Sequence, residues 1–588
     1  MDTIVVLDYG GQYAHLIANR LRRLGVYSEI RPPEAEIGEV KGVILSGGPN
    51  SVYDKSSPKI HNKLLEKGIP VLGLCYGHQL IAHELGGKVK PGKTREYGRT
   101  EIEVESEGIF KGMGKKQLVW MSHGDSVKEL PPGFKVLAKS SDCPVVAMGN
   151  PEKKLYGMQF HPEVTHTERG TEMLENFIEI CDCKKDWDAG SYTKQLIGDI
   201  KKKAGNKKVF MLVSGGVDST VAFALLNRAL GTKNVYGLFI DNGFVRKNEV
   251  RMTKERMEKQ GFVNFRMIDA SSDFLDAEKN VYDPEEKRKI IGEVFIKVQQ
   301  KELDNIGLNA EEWMLGQGTI YPDTIETGRT KHAEVIKTHH NRVKIIEELI
   351  EQGKVIEPLE MLYKDEVRAV GEELGLPKEL VWRHPFPGPG LAVRCLCAKE
   401  AASMESRKLD EIAARYNLKA KVLPIKSVGV QGDFRTYGHP AVLIGEADWD
   451  TLEKASTEIT NRIKDINRVV WLMGPKELPD VGVKAGYLTK ERLDLLREAD
   501  YRAMKNLRSE GMYNDVWQMP VVLIPVSIKG GESIVLRPVS SKEAMTASFS
   551  KLPVGFVRDV ANKILQIEGV DAVFYDITNK PPGTIEWE

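Results

Sequence analysis

The chain has 588 residues, 41% hydrophobic and 29% charged, a balance ordinary for a globular protein large enough to bury several cores. Its 84 Lys and Arg residues equal its 84 Asp and Glu residues, which argues against nucleic acid as the main partner, because nucleic-acid affinity depends on neutralising phosphates. No stretch approaches the roughly 20 apolar residues that span a bilayer, and no signal-peptide pattern is seen, so we expect a cytoplasmic protein without membrane association.

The first block alternates strand and helix patterns. Short apolar runs at Thr3–Leu7, Gly42–Leu45 and residues 70–74 predict strands, and residues 11–24 show helical spacing. Strands that alternate with helices indicate a mainly parallel sheet covered on both faces. We therefore predict a doubly wound α/β domain over residues 1–186.

A second alternating block follows. Residues 207–213 predict a strand, residues 218–230 a helix and residues 235–240 another strand, which is a βαβ unit of the nucleotide-binding kind. Ligands of such sheets sit beyond the carboxyl ends of the strands. We predict a second doubly wound, mainly parallel domain over residues 187–394.

The last third has the pattern of a duplicated α+β module. Its two copies would cover residues 395–490 and 491–588, each with a strand, a helix and a strand. Val470 then aligns with Phe574, and Lys476 with Lys580, at one offset of 104 residues (574 − 470 and 580 − 476). Two similar pieces arising by chance are the alternative.

Six cysteines are too few for a disulfide framework in a chain of this length. Four of them form the C-x-C pairs Cys181/Cys183 and Cys395/Cys397. This spacing is not the usual zinc pattern, so we expect free thiols rather than a metal site.

Cys75 has the surroundings of a nucleophile. It follows an apolar strand and precedes a predicted helix, and the flanking glycines Gly73 and Gly77 allow the sharp turn that projects a nucleophile above a sheet. The helix N-terminus behind the sulfur favours a thiolate. His161 and Glu163, which follow another predicted strand, could supply the base and the carboxylate that orients it. A buried structural thiol with an unrelated histidine is the alternative.

An oxyanion formed on the substrate would need hydrogen-bond donors. The glycine turn with Gly47 and Gly48 ends another predicted strand, and its backbone N–H groups could serve together with the N–H of Tyr76. With these features in place, residues 1 to about 183 resemble a class I glutamine amidotransferase. An N-terminal-nucleophile amidotransferase is excluded, because Asp2 rather than cysteine follows the initiator methionine.

The amidotransferase resemblance implies a reaction and further site residues. Cys75 would attack the side-chain amide of glutamine, form a glutamyl thioester and release ammonia. Gln79, together with His123 and Asp125 in the stretch 122–125, would help to hold glutamine.

A glycine-rich loop opens the predicted helix of the second block. Its residues are Ser214, Gly215, Gly216, Val217, Asp218, Ser219 and Thr220. Its N–H groups and the helix N-terminus suit an anion, and Asp218 could hold Mg²⁺ against a pyrophosphate. The loop has no lysine at the Walker position and resembles the PP-loop of ATP pyrophosphatases, which release AMP and pyrophosphate. A plain glycine turn is the alternative.

Residues 87–94 match the Walker A pattern formally. A P-loop requires a strand before it and a helix after it, whereas here a predicted helix precedes and a predicted strand follows. We therefore interpret this stretch as a solvated hairpin.

The two sites together narrow the family. Along essentially its whole length the chain resembles the glutamine-hydrolysing GMP synthetases, through residues 316–323, 337–341, 383–394, 427–433 and 580–588. The resemblance implies that ATP, with Mg²⁺, adenylates XMP and that ammonia displaces AMP to give GMP. XMP would be held by Asp433, Gln518, Lys580 and Glu586, and Lys337, His339 and His340 would lie in a lid. Taken alone, residues 580–588 would read as a disordered tail.

The partners expected are the small molecules XMP, ATP and glutamine. Single-copy members of the family dimerise through one C-terminal module, so a duplicated module predicts a monomer with an internal pseudo-dimer, and a homodimer is the second choice. Two rival functions remain: a PP-loop tRNA-thiolation enzyme fused to an amide hydrolase, and a nucleotide-sensing protein with inactive sites.

Overall fold

The structure is a computed structural model that describes residues 1–588 except 12, 55, 62, 165, 327–343, 403, 432–433 and 542–546. The chain divides into two compact units. The first unit comprises Met1–Leu196, Thr319–Thr338 and Leu359–Glu373, and the second comprises Ile197–Gly318, His339–Pro358 and Leu374–Glu588. Among the described residues, no helix is both long and apolar enough to cross a membrane.

The first 204 residues supply one large sheet and four helices in the described part of the chain. The strands are β1 (Thr3–Leu7), β2 (Tyr27–Arg31), β3 (Gly42–Leu45), β4 (Val71–Leu74), β5 (Lys88–Val104), β6 (Lys116–Glu129), β7 (Lys135–Lys139), β8 (Ala147–Asn150) and β9 (Leu155–Met158); the helices are α1 (Ala14–Arg23), α2 (Tyr76–Glu84), α3 (Gly170–Ile180) and α4 (Ala189–Ala204). The strand order is β2-β1-β3-β4-β9-β8-β7-β5-β6. Strands β2, β1, β3, β4 and β9 run parallel, and the other four pair antiparallel.

The parallel half of this sheet is buried on both faces. In β1, Ile4 and Val6 belong to a core with α1 and α3, whereas Val5 and Leu7 belong to a second core with α2. Alternate side chains of a strand point to opposite faces, which is why the strand is apolar throughout. Because β4 and β9 pair in parallel, their carboxyl ends lie side by side at one edge of the sheet. The formal Walker A stretch lies largely in β5, without a following helix.

The central part of the chain contains a second, fully parallel sheet. Its strands are β10 (Lys208–Leu212), β11 (Val235–Asp241), β12 (Phe265–Asp269), β13 (Trp313–Gly316) and β14 (Val355–Ile356); the helices are α5 (Val217–Leu230), α6 (Glu249–Lys259), α7 (Ser271–Ala277), α8 (Pro284–Ile306), α9 (Tyr321–Glu326), α10 (Lys344–Glu351), α11 (Lys364–Glu373) and α12 (Lys378–Val381). The order is β12-β11-β10-β13-β14. The chain thus builds outward from β10 on one side and then returns to its other side at β13, and such a reversal point opens a ligand crevice.

The last third forms a mixed sheet with helices. Its strands are β15 (Lys419–Val422), β16 (Ser427–Gln431), β17 (Phe434–Ile444), β18 (Ile466–Gly474), β19 (Gly482–Val483), β20 (Val521–Ile524), β21 (Val526–Ser527), β22 (Glu532–Leu536), β23 (Val539–Ser540), β24 (Ser548–Phe549) and β25 (Val570–Asp576); the helices are α13 (Arg407–Arg415), α14 (Trp449–Arg462), α15 (Lys490–Ser509) and α16 (Val554–Leu565). The main sheet has the order β15-β17-β18-β25-β22-β20, and β16 pairs with β17. The whole chain is therefore a mixed α/β protein with large sheets that contain parallel strands.

The C-terminal segment is ordered, so the reading of residues 580–588 as a disordered tail is wrong. The N–H of Val428 donates to the Trp587 carbonyl at 2.9 Å, and the N–H of Val430 donates to the Pro582 carbonyl at 2.8 Å. The Trp587 side chain is fully buried and donates through Nε1 to Asp576 at 3.0 Å. The C-terminal segment thus pairs with strand β16, which lies more than 150 residues earlier in the sequence.

Candidate active sites

The turn that carries Cys75 has the shape of a nucleophile elbow. Cys75 lies between β4 and α2 with a positive backbone φ of 50°, which residues other than glycine rarely adopt. A Cβ on Gly73 would lie 2.4 Å from the Gly77 backbone, and one on Gly77 would lie 2.5 Å from the Leu45 carbonyl oxygen. The two glycines therefore allow β4, α2 and β3 to meet closely enough to force this turn.

The structure brings His161 and Glu163 to the sulfur. His161 Nδ1 donates to Glu163 Oε1 at 2.7 Å, and the imidazole interacts electrostatically with the Cys75 side chain, which lines the same cavity. Burial disfavours the charged imidazolium, but the carboxylate of Glu163 and the contact with Cys75 outweigh it and raise the pKa of His161 to about 10. The arrangement therefore keeps the His161 imidazole protonated at neutral pH.

The predicted oxyanion turn lies beside Cys75 and His161. A Cβ on Gly47 would lie 3.3 Å from the His161 ring and 3.6 Å from the Cys75 Cβ. The N–H of Gly77 donates to the Ser46 carbonyl at 3.2 Å, which ties the turn to the elbow. The turn with Gly48 and the N–H of Tyr76, at the start of α2, thus flank the sulfur.

A cavity of about 690 Å³ opens above the sulfur. Gln79, His123 and Asp125, predicted to hold glutamine, all line it together with Cys75 and His161. The Asp125 carboxylate accepts from Ser51 Oγ at 2.7 Å, and Nδ1 of His123 contacts the Asp125 carbonyl at 3.0 Å. Gln79, by contrast, is almost fully buried and bonded to protein groups, so its side chain supports the wall.

Sequence reasoning missed two residues that contact this machinery. The ring of Tyr13 packs edge-on against His161 with the centroids 5.1 Å apart. The Nε2 of Gln159 lies 3.7 Å from the Cys75 sulfur. Gln159 stands two residues before His161, and this short spacing was the signal that could have drawn attention to it.

The phosphate-type loop follows β10 at the reversal point of the second sheet. Gly215 has φ at 76°, and Gly216 is the N-cap residue that directly precedes α5. The hydroxyls of Ser214 and Ser219 lie 3.1 Å apart, and Thr220 Oγ1 donates to the Gly216 carbonyl at 2.7 Å. The loop is therefore braced internally, with the first turn of α5, including Val217 and Asp218, behind it.

Arg383 links this loop to a buried ionic cluster. Its guanidinium donates to the Gly215 carbonyl and to the Glu249 carboxylate, both at 2.5 Å. Gly318, after β13, lies on the loop's other side, since a Cβ there would be 3.2 Å from the Ser219 backbone. The loop after β10 and the turn after β13 thus lie next to each other and line one crevice at the carboxyl edge of the second sheet.

Two of the four residues predicted to hold XMP meet directly. Gln518 Nε2 donates to Glu586 Oε1 at 3.3 Å, and Arg394 binds the same carboxylate through Nε at 2.9 Å and Nη2 at 2.8 Å. Both partners of Glu586 are buried. The C-terminal segment therefore holds a carboxylate against a buried arginine.

Lys580 lies in a positively charged environment. Burial and the nearby charge of Arg537 lower the pKa of Lys580, because both disfavour the ammonium form. An anion bound here would reverse that effect, so the site is suited to a phosphate.

Arg246 is a largely buried cation that sequence reasoning missed. Its guanidinium stacks over Phe386 at 4.6 Å, the ring that also contacts Arg394 at 5.1 Å. It lies 3.5 Å from Asp500, yet Nε and Nη2 have no hydrogen-bond partner within the described part of the chain. Buried donors without partners indicate that a bound ligand supplies the hydrogen-bond acceptors.

Asp433 and the residues predicted to form a lid, Lys337, His339 and His340, lie outside the described residues. All six cysteines are free thiols, including both C-x-C pairs.

Three family models match the chain. Residues 5–181 match the class-I glutamine amidotransferase model, residues 191–340 the NAD synthase model, and residues 505–587 the GMP synthase C-terminal domain model. A solved glutamine amidotransferase from Thermotoga maritima covers 34% of this chain and 85% of its own at 22% identity, with a TM-score of 0.24.

Curated relatives match the whole chain. A protein of Leptospira interrogans named probable glutamine-hydrolyzing GMP synthase is 47% identical, covering 100% of this chain and 99% of its own. The glutamine-hydrolyzing GMP synthase of Caldanaerobacter subterraneus is 40% identical, with the same coverage of both chains. With the elbow, the phosphate-type loop and the buried C-terminal segment all in place, the chain belongs to the family of glutamine-hydrolysing GMP synthases.

Proposed function

We propose that the chain makes GMP from XMP, ATP and the amide nitrogen of glutamine, with glutamate, AMP and pyrophosphate as the other products. It is a ligase of purine biosynthesis, and we assign it to the cytoplasm. The observation that carries the assignment of residues is the Cys75–His161–Glu163 arrangement in a chain that also holds the loop of residues 214–220.

In the glutaminase reaction, the thiolate of Cys75 attacks the side-chain carbonyl carbon of glutamine. The oxyanion that forms is stabilised by backbone N–H groups of the Gly47–Gly48 turn and of Tyr76. The C–N bond then breaks, His161 gives its proton to the departing nitrogen, and ammonia leaves a thioester on Cys75. Water, deprotonated by His161, hydrolyses the thioester to glutamate and restores the Cys75 thiolate and the protonated His161.

In the synthetase reaction, the C2 oxygen of XMP attacks the α-phosphorus of ATP and pyrophosphate leaves. The residues of the 214–220 loop hold that pyrophosphate through backbone N–H groups and the α5 N-terminus. Asp218 fits a Mg²⁺ site, since this ion is usually bound by one or two carboxylates plus substrate phosphates, and the ion would neutralise the charge on the leaving group. The adenylate makes the ring oxygen a good leaving group, and ammonia displaces AMP at C2.

For XMP, we propose a site built from Gln518, Glu586 and Lys580, with Asp433 as a further member. Lys580 suits the phosphate, and the carboxylate of Glu586 can accept from ring or ribose donors. Arg246 adds unused guanidinium donors to the same region of the second unit. Arg383 provides a direct structural link from the ATP loop to Glu249, and the Lys337, His339 and His340 segment remains a proposed lid.

We further propose that residues 395–490 and 491–588 are two copies of one module, following doubly wound domains at 1–186 and 187–394. The sheet order β15-β17-β18-β25-β22-β20 is symmetric about its centre in strand direction. Exchanging the two copies means adding 104 to a residue number of the first copy and subtracting 104 from one of the second. The exchange turns the β18–β25 pair Val470–Asp576 into Phe574–Leu472, which is also paired in the sheet, and it maps the pair Trp471–Tyr575 onto itself. A register that maps onto itself in this way is what a two-fold interface requires.

The decisive assay measures GMP formation with either glutamine or ammonium as nitrogen source. The variant Cys75→Ala should lose glutamine-driven synthesis and retain ammonium-driven synthesis. Pyrophosphate should appear only when XMP and ATP are both present. Retained glutamine use by the variant would overturn the assignment of Cys75.

A further inference from the structure

We propose that Gln159 supports the nucleophile directly: its side-chain amide donates an N–H to the Cys75 sulfur and is held in that orientation by a chain of hydrogen bonds from the glutamine-binding wall. This inference rests on the proposed function, since it assumes that Cys75 is the nucleophile. It adds a residue to the glutaminase machinery and a path by which the cavity wall acts on the sulfur.

The side chain of Gln159 is fully buried beside the sulfur. Its Nε2 lies 3.7 Å from Cys75 Sγ, and its backbone N–H donates to the Val146 carbonyl at 2.8 Å, which fixes the residue just beyond β9. Because a fully buried amide is shielded from solvent, its N–H groups must find hydrogen-bond acceptors within the protein.

The orientation of this amide follows from the chain of partners. Gln79 Nε2 donates to the backbone carbonyl of Asp125 at 2.8 Å, and a carbonyl can only accept. The second N–H of Gln79 therefore points to Gln159 at 3.2 Å, and the atom that receives it must be Oε1. The nitrogen end of Gln159 is then left facing the sulfur, because a flipped amide would set donor against donor.

The sulfur consequently has two alternative sets of partners. As a thiol, Cys75 donates to the Ser122 carbonyl at 3.6 Å. As a thiolate it can only accept, and the donors around it are His161 and Gln159. Hydrogen bonds to a charged group are stronger than neutral ones, so the Gln159 contact favours the reactive anion.

The chain also connects the sulfur to the place where glutamine is held. Asp125 lines the cavity, and its backbone carbonyl is the fixed end of the chain that runs through Gln79 to Gln159. A substrate that shifts the 122–125 stretch changes the hydrogen bond to Gln79, and the change reaches the sulfur after two further bonds.

The test uses the full-length enzyme and the rate of Cys75 alkylation by iodoacetamide, followed by mass spectrometry from pH 5 to 10. Gln159→Leu should move the midpoint of the rate profile upward by about one pH unit and slow alkylation at pH 7 roughly tenfold. Gln159→Glu keeps the shape but sets a carboxylate against the sulfur, and it should move the midpoint further in the same direction.

The matched control is Gln117→Leu. Gln117 is another buried glutamine of the same unit, and its Nε2 donates to the Gly114 carbonyl at 2.7 Å, away from the cavity. Its alkylation profile should equal that of the unmodified enzyme. Ammonium-driven GMP formation and the thermal midpoint report whether each variant folds; should Gln159→Leu fail to fold, Gln159→Glu decides.

An unchanged alkylation profile in a folded Gln159 variant would overturn the inference and leave packing as the residue's role. That result differs from failure of the proposed function. If Cys75→Ala loses glutamine use while Gln159→Leu keeps the normal profile, only the inference fails. If Cys75→Ala keeps glutamine use, the assignment of the nucleophile itself fails.

Discussion

At the scale of single residues, the proposed glutaminase site depends on a balance between burial and opposite charge at His161. His161 is buried, which alone would favour a neutral imidazole, yet its pKa is raised to about 10 because Glu163 and Cys75 both favour the cation. The imidazolium is the form that can give a proton to the departing amide nitrogen, so that it leaves as ammonia. A single carboxylate thus decides over which pH range the acid is available.

Replacing that carboxylate should shift the pH profile. In Glu163→Gln the burial penalty remains while the opposing charge is lost, so the pKa of His161 should fall. The imidazolium is then lost at lower pH, so the alkaline limb of kcat/KM for glutamine should move toward acid. We also expect kcat to fall by about 10²–10⁴-fold, since the tautomer and orientation of the ring are no longer held.

Glutamate release measured from pH 6 to 10 checks this prediction. Glu172→Gln is the control, because Glu172 is an exposed carboxylate on α3 that pairs with Arg169. It should leave both the limb and kcat unaltered. An alkaline limb that stays in place in Glu163→Gln would mean that another group sets it.

At the scale of elements, local patterns were readable and long-range pairings were not. The strand-turn-helix around Cys75 could be predicted because its glycines and its apolar strand are adjacent in sequence. Gln159 has only its short spacing from His161 as a local signal, since its partners Gln79 and Cys75 are supplied by another strand–helix junction. Of the four antiparallel strands of the first sheet, only the end of β5 was predicted, and β6, β7 and β8 were missed for the same reason.

The close packing of three elements at the elbow can be tested at Gly77. A Cβ there would lie 2.5 Å from the Leu45 carbonyl oxygen, so Gly77→Ala must push α2 away from β3 and displace Cys75. We expect glutamine-driven GMP formation to fall at least about 100-fold, because small misplacements of reacting groups are costly. Ammonium-driven formation serves as the comparison within the same sample. Gly198→Ala on α4, where an added Cβ meets nothing within 4 Å, should retain glutamine use.

The C-terminal segment shows why a polar, proline-rich sequence can still be part of a core. Trp587 is fully buried, lies under the guanidinium of Arg468 at 5.0 Å and donates to Asp576. The segment is held because its backbone pairs with β16 and the Trp587 side chain is buried against the sheet. Neither partner can be recognised from the sequence of residues 580–588 itself. Only the resemblance to a family pointed to a role for it.

Removing this anchor should destabilise the second unit. Trp587→Ala removes a large buried side chain and leaves Asp576 without one of its donors, which we expect to cost about 3–5 kcal/mol. Urea unfolding followed by tryptophan fluorescence and by loss of ammonium-driven activity measures the effect. Tyr501→Ala, at a side chain that is 39% exposed, should cost less than about 1 kcal/mol. Equal midpoints for the two variants would contradict a structural role for the segment.

At the scale of the whole molecule, the proposed duplication explains how one chain can replace a dimer. Strands β18 and β25 pair antiparallel at the centre of the last sheet, with Trp471 opposite Tyr575. Two separate chains with single modules would need to meet to form such a pair, whereas here both strands are present in one chain. The sequence offset of 104 residues pointed to this arrangement, although the residues themselves have diverged.

We therefore expect the enzyme to be a monomer at all working concentrations. Sedimentation velocity from about 10 nM to 10 μM should give one species with the mass of a single chain, 65.8 kDa, because the strand edge used for pairing is already occupied within the chain. Specific activity should not change on dilution over the same range, since no site waits for a second chain. A species of twice the mass that persists at 10 nM, or activity lost on dilution and regained on concentration, would instead place the interface between chains.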